Sequence, residues 1–454
     1  MTASAIALQA GIVGAGGAGF PTHIKFTAKA DSFIVNAAEC EPLMEVDKFL
    51  IRTRADDLVN GAVDIAREIG AAQVAFAIKK AYVREIACLN SAIERLVKSS
   101  DEALPDVLVF GMKSFYPAGD EQIITKLVSG KSVPERGIPP DVGVMIDNVA
   151  TVLNYSDAKH GKPVTHRVLS VAGAVKRPLV LRVPIGTPVR LCVEAAGGAP
   201  DGYTVVMGGP MMGKFYGSSD LDSLYVKKTD GGILVLPPGH KLHAMAVMDI
   251  SKMKNRANAA CIKCRMCTDL CPRYLIGHNI MPHVIMQNFY RFEGITDNEE
   301  FERVFGSAAN CCECGVCENY SCPMMLSPRH IAAYAKRKLS ERGINPARNM
   351  NPEAREFFSE RLAPVDRLKA RLGLSWLSGH VGDELTELNP RKVTIALKQS
   401  IGAPCVPSVS EGTSVSEGDL IGSPPENKLG ARLHASISGK VLSIEKDAII
   451  IGEQ

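Results

Sequence analysis

The chain has 454 residues, too many for one hydrophobic core, so two to four domains are expected. Hydrophobic content of 46%, charged content of 22% and a formal charge of +3 describe an ordinary globular protein and give no reason to expect nucleic acid or an anionic membrane surface as partner. The longest apolar runs, such as Gly232-Ile233-Leu234-Val235-Leu236, fall far short of the ~20 residues of a membrane helix, and Met1-Thr2-Ala3-Ser4 lacks the pattern of a secretory signal; a cytoplasmic protein without direct membrane insertion is expected.

Ala3, Ile6, Ala7 and Ala10 predict a helical turn or two at the start. Next comes Gly14-Ala15-Gly16-Gly17-Ala18-Gly19-Phe20-Pro21-Thr22, which contains G-x-G-x-x-G. Such a loop exposes backbone N–H groups, and Lys25 is close by, so phosphate binding is one reading and a tight glycine turn without ligand is the other. The setting is wrong for a Rossmann loop: a helix precedes it, Pro21 follows at once, and there is little room for a first strand. Three further polar motifs follow: Asn36-Ala37-Ala38-Glu39-Cys40-Glu41-Pro42, Tyr116-Pro117-Ala118-Gly119-Asp120-Glu121 and Asp147-Asn148-Val149-Ala150-Thr151. By themselves Glu39, Glu41, Asp120 and Glu121 read as solvated surface acids. Val168–Gly213 then reads as short strands broken by Pro and Gly.

Thirteen cysteines are present, and eight fall in two runs of shared spacing. The first is Cys261-x2-Cys264-x2-Cys267-x3-Cys271-Pro272. The second is Cys311-Cys312-x-Cys314-x2-Cys317-x4-Cys322-Pro323. In a reducing compartment such runs mean metal rather than disulfide. The pattern is that of two-cluster ferredoxins, in which the fourth cysteine of each run ligates the other cluster. Cys261, Cys264, Cys267 and Cys322 are therefore assigned to one [4Fe–4S] cluster, and Cys311, Cys314, Cys317 and Cys271 to the other. Structural zinc, the alternative, usually takes two separated C-x2-C pairs. Cys312 is left over, a free thiol or an alternative ligand, while Cys40, Cys88, Cys192 and Cys405 read as small buried apolar residues. Between the runs Ile280, Val284, Ile285, Phe289, Phe301, Val304 and Phe305 stand at helical spacing and predict an inserted helix pair.

Residues 340–390 are charged and helical in pattern, a connector. From Lys392 onward, alternating short strands with Gly turns predict a small β-barrel or sandwich. Lys440 lacks the flanking residues of a biotin or lipoyl hairpin.

The four N-terminal motifs, in this order over about 150 residues, resemble those of the complex I flavin subunit and of the C subunit of the Rnf electron-transport complex. The resemblance implies roles. Gly14, Gly16, Gly17 and Lys25 would hold the phosphate of FMN. Asn36, Tyr116, Asn148 and Thr151 would contact its ring or ribityl chain. Phe20, Glu41 and Glu121 would line the NADH side, with Glu39 and Asp120 in the same cofactor site. Ala38 stands where complex I has an aspartate, and Asp120 where it has a glutamate. The strands after Val168 resemble the soluble-ligand-binding β-grasp (SLBB) module of those families, there structural, and the C-terminal strands resemble the barrel-sandwich of the Rnf protein. In the Rnf protein the barrel precedes the flavin domain; here it comes last. This order resembles the cobalamin reductases of propanediol-utilisation microcompartments across nearly the whole chain.

The fold class implied is multidomain α/β: an FMN/NADH-binding α/β domain over 1–163, an SLBB-like β-grasp module over 164–240, a helical two-[4Fe–4S] ferredoxin-like domain over 250–340, a helical connector over 341–390 and a barrel-sandwich domain over 391–454. The function implied is an NADH-oxidising reductase that passes electrons through FMN and two [4Fe–4S] clusters to a corrinoid or other low-potential acceptor. An adenosyltransferase and the shell or enzymes of a bacterial microcompartment are the further partners implied. No D-x-H-x-x-G corrinoid motif occurs; Asp157-Ala158-Lys159-His160-Gly161 has the wrong spacing. The alternatives are an Rnf-type protein working between NADH and ferredoxin or a membrane complex, and a non-catalytic electron carrier.

Overall fold

The structure, a computed structural model, describes residues 1–377, 379 and 381–453. Near-continuous apolar runs such as Phe33-Ile34-Val35 and Val74–Ile78 need cover on both faces, which a parallel sheet under helices supplies. They form a four-stranded parallel sheet ordered Asp106–Met112, Gln73–Lys79, Ser32–Ala37, Val144–Asn148. Residues alternate between its two faces. Phe33 and Val35 pack with the helices Val46–Ile69, Val83–Ser99 and Val149–Lys159. Ile34 packs with Ile123 and Ile124 of the helix Glu121–Ser129 and with Ile276 from the cluster domain. As expected, a helix, Ala3–Gln9, opens the chain, and the glycine loop has no strand of its own before it.

The β-grasp module is a six-stranded sheet ordered Leu385–Glu387, Leu179–Pro184, His166–Gly173, Gly232–Leu236, Thr204–Met207, Lys214–Gly217. The cluster domain is helical. Its insertion supplies the helices Pro282–Asn288 and Asn298–Phe305, and Phe289, Phe292, Phe301 and Phe305 make its core, with the Phe292 and Phe305 rings 4.7 Å apart. The C-terminal strands form a four-stranded and a three-stranded antiparallel sheet.

The span 341–390 differs from the helical connector expected of it. Beyond Glu341, its described residues carry the helix Val365–Leu372 and are otherwise short strands, turns and irregular backbone. Pro346 and Pro352 break its helical pattern, and the freed backbone is pinned to the flavin domain. Buried Glu135 accepts the Asn349 N–H at 3.0 Å, and Arg136 donates to the Pro346 carbonyl at 2.5 Å. Ala363–Pro364 pairs with Phe115–Tyr116, and Leu385–Glu387 joins the β-grasp sheet.

A buried lysine ties three domains together. Lys228 of the β-grasp module, 2% exposed, donates from Nζ to the carbonyls of Gly11 in the flavin domain and Arg432 in the barrel, both at 2.7 Å. Nearby, the Ile401 N–H of the barrel donates to the Gly19 carbonyl at 2.9 Å. The barrel thus rests directly on the glycine loop.

Candidate functional site

The C-terminal ends of parallel strands are where α/β sheets bind ligands, because strand ends and helix starts leave a crevice there. Asn36 and Asn148 end neighbouring strands and are partners in register. Asn36 donates to the Gly119 carbonyl at 2.9 Å; Asn148 caps the helix Val149–Lys159 and donates to Asp47 at 2.8 Å. The glycine loop closes beside them: the Gly14 N–H donates to the Phe20 carbonyl at 2.9 Å, and the Ala15 N–H to the Thr151 hydroxyl at 2.9 Å.

These elements enclose a cavity of about 1190 Å³. Gly14, Gly16, Gly17, Phe20, Lys25, Asn36, Glu39, Glu41, Tyr116, Asp120, Glu121, Asn148 and Thr151 all line it. The β-grasp module forms another wall, through Arg167, Gly208-Gly209 and Lys214 among others. A third wall belongs to the cluster domain, with Arg273, Cys312 and Cys314.

The chain fits an FMN phosphate and ring here. A Cβ on Gly17 would meet nothing within 4 Å, and its φ of +107° suits glycine alone, so this backbone faces open space. The buried Asp147 Oδ2 and Gln122 Oε1 have no hydrogen-bond partner, and both residues line the cavity. Lys25 is held by Asp147 at 3.1 Å, by Glu121 at 3.7 Å and by the Ile146 carbonyl. Burial works to lower its pKa, but the two carboxylates outweigh it and the net direction is up, so the ammonium stays charged.

Several acids are already committed within the protein. Glu41, whose carboxyl burial pushes up to about 7, accepts the Met211 N–H at 2.9 Å, across the domain boundary. Asp120 caps the helix Glu121–Ser129 and pairs with Arg273 at 2.5 Å, both side chains nearly buried. Glu39 accepts the Asp47 N–H at 2.6 Å, and burial raises the pKa of both carboxyls. Phe20 is 37% exposed, as is fit for a residue that offers a ring face to an entering ligand. Arg167, Asp47 and Arg273 had no signal in the sequence; each reaches the cavity from a different segment.

The structure draws the cysteines of the two runs together, with Cys312 beside Cys314 and Cys271. A small cavity is lined by Cys261, Cys264, Cys267 and Cys322. Cys271 lies within electrostatic reach of Cys311, and Cys317 of both; Cys314 interacts with Cys271 and Cys317. Burial first, then the thiols of Cys322, Cys261 and Cys264, push Cys267 up to about 12. Such a set disfavours free thiolates and keeps the thiols protonated until a metal displaces the proton. Among the described residues no three His, Cys, Asp or Glu side chains can share a single metal ion; a cubane takes one thiolate per iron and sets them wider. Both loops follow one backbone path, with left-handed residues flanking the second cysteine: Lys263 (+56°) and Arg265 (+66°) in one, Glu313 (+59°) and Gly315 (+81°) in the other. Tyr116 links cavity and cluster loop, its phenol donating to the Cys314 carbonyl at 2.8 Å. Cys40, expected to be buried, is half-buried and lines the cavity, and Cys88 is likewise half-buried.

Comparison with known proteins agrees with this layout. Four family models match in chain order: the Nuo51 FMN-binding domain over 7–157, the SLBB domain over 168–215, a 4Fe-4S dicluster domain over 260–327 and the RnfC barrel sandwich hybrid domain over 384–454. Fold and site define a flavo-iron–sulfur oxidoreductase with FMN and two [4Fe–4S] clusters as cofactors. Cobalamin reductase PduS of Citrobacter freundii is 40% identical over 445 residues, 97% of this chain and 94% of that protein. PduS of Salmonella typhimurium is 41% identical over 447 residues with the same coverage. The chain belongs to the cobalamin reductase PduS family. The C subunit of the proton-translocating ferredoxin:NAD(+) oxidoreductase complex of Clostridium ljungdahlii is 34% identical over 274 residues, 59% of this chain and 55% of that protein. Among the described residues no helix is long and apolar enough to cross a membrane.

Proposed function

We propose that this protein oxidises NADH and delivers the electrons, through FMN and then the two clusters, to a corrinoid. One observation carries the reading: a single cavity has the glycine loop on one side and Cys312 and Cys314 on the other. FMN, when bound, supplies the exchange between the electron pair of a hydride and the single electrons that iron–sulfur clusters accept. The chain supplies position. Gly14, Gly16 and Gly17 offer backbone to the phosphate, and Lys25 offers its charge once it turns from Asp147. Asn36 and Asn148, at the strand ends, would contact the ring or ribityl chain. Phe20 would line the NADH side, and the volume of about 1190 Å³ has room for a nicotinamide as well as a flavin. No protein acid or base need take part in the chemistry; Glu41, Asp120 and Thr151 act by holding the walls together.

In this reading the nearer cluster is held by Cys271, Cys311, Cys314 and Cys317, and the farther by Cys261, Cys264, Cys267 and Cys322. A cytoplasmic place within a bacterial microcompartment, beside an adenosyltransferase, belongs to the same proposal. The test is anaerobic. NADH added to protein loaded with FMN and iron should bleach the flavin and reduce aquocobalamin faster than it reduces ferredoxin. Bleaching without corrinoid reduction removes the acceptor, and no bleaching removes the donor.

A further inference from the structure

The stretch Ser251–Thr268 holds five cations, Lys252, Lys254, Arg256, Lys263 and Arg265, and no acidic residue. It covers most of the helix Ile250–Ala260 and the whole first cysteine loop. Ile262, Lys263, Cys264, Arg265 and Met266 are all exposed, as are Pro323, Met324 and Met325 beside Cys322. Ile262 is 60% exposed and Met324 40%. Exposed apolar side chains gathered on two adjacent loops are unusual on a surface facing only water. Arg256 donates to the Met325 carbonyl at 3.0 Å, which turns its helix face toward that loop, and Lys252, four residues earlier, shares the face. Arg265 is paired with Asp269, but among the described residues Lys252 and Lys263 have no carboxylate partner. Methionines at the centre of a basic rim are the composition of a protein-docking patch.

We infer that this face, made by Ile262–Met266, Pro323–Met325 and the Lys252–Arg256 side of the preceding helix, docks an electron-accepting protein whose contact surface is apolar at its centre and acidic at its rim. This rests on the reading that electrons reach the cluster of Cys261, Cys264, Cys267 and Cys322. A protein is favoured over a free small acceptor because the loops stand out from the body. The cavity between them measures about 30 Å³, with the four cysteines among its lining residues, whereas a cofactor-sized molecule needs roughly ten times that or more. The basic rim selects an acidic partner and speeds its approach. The step moves one electron: the cluster is oxidised by one, the partner's centre is reduced by one, and no bond is made or broken.

The experiment uses the full chain loaded with FMN and iron, and an acidic flavodoxin as probe, with basic cytochrome c as control. Binding is measured by calorimetry on the oxidised proteins at low salt, so that it does not depend on turnover. The double variant Lys252→Glu, Lys263→Glu should bind flavodoxin about tenfold more weakly than the wild type, and the difference should shrink as salt rises. Met324→Gln should weaken binding about threefold with no change in salt dependence. Both variants should keep the cluster EPR signals of dithionite-reduced wild type. Equal affinity of wild type and double variant, no flavodoxin binding, or equally tight cytochrome c binding overturns the inference. So does a fall of about tenfold in the reduction of free aquocobalamin by the double variant, which would make the patch a site for the small acceptor itself. Failure of NADH to bleach the flavin overturns the proposed function instead and leaves the binding comparison readable.

Discussion

The two cysteine loops share a backbone path and contrast in almost everything around it. The loop Cys311–Cys317 lies against the flavin domain and the β-grasp module, Cys314 packing in one cluster with Tyr116 and Met211. Cys314 and Cys317 are buried, the flanking charges are the acids Glu313 and Glu318, and Tyr116 of the flavin domain bonds to its backbone. The loop Cys261–Cys267 stands in solvent, with Cys264 exposed and cations on both sides. Identical spacing thus encodes the coordination, while the residues between and around the ligands encode which cluster is internal and which faces outward.

The contrast breaks most sharply under ligand removal. Cys317→Ser should abolish NADH-driven reduction of the outer cluster, while Cys264→Ser should leave NADH-driven reduction of the inner one near the wild-type level; EPR after NADH, compared with EPR after dithionite, separates the two. Equal loss in both variants would erase the order. Smaller is the effect of a chelator on intact protein. Iron should leave in two phases, the first carrying the EPR signal of the outer cluster, because exposed ligands exchange with solvent first.

The cavity side of the comparison has its own pH signature. The Glu41 carboxyl keeps its proton to about pH 7 when folded but ionises near its ordinary 4.5 when unfolded. The native state therefore binds more protons between those values, and stability falls as pH rises through that window, by up to about 3 kcal/mol. Glu41→Gln should lessen the fall in thermal stability of flavin-free protein between about pH 5 and 7.5, the remaining fall coming from buried Glu39 and Asp47. A wild-type profile already flat there would contradict the burial of this group. The smallest effect expected is that of Tyr116→Phe. Leaving the Cys314 carbonyl without its phenol should cost about 1 kcal/mol, seen as a slightly lower melting temperature with both clusters still assembled.

The iron–sulfur character of the cysteine runs was legible in the sequence because such spacing is local. The glycine loop and the strand-end asparagines were legible for the same reason, and they do meet at one cavity. What could not be read were contacts between distant segments. Glu41 was expected on the NADH side and Asp120 in the same cofactor site; both line the cavity, yet their carboxylates are taken by Met211 and Arg273, 170 and 153 residues away. Arg167 sits in a module expected to be structural only, and it reaches the glycine loop, donating to the Ala15 carbonyl at 2.8 Å. The span 341–390 has helical periodicity, but its prolines and the Glu135 and Arg136 side chains of the flavin domain override it.

The lysine joint suggests how such proteins are rearranged over time. Lys228 and Ile401 fasten the barrel to Gly11 and Gly19, near the other end of the sequence. Because the joint is made in space and not through the linking peptide, a gene that transfers this segment from the tail to the head would still deliver it to the same seat. Recombination could therefore shuffle the order of modules while the assembled body kept its shape.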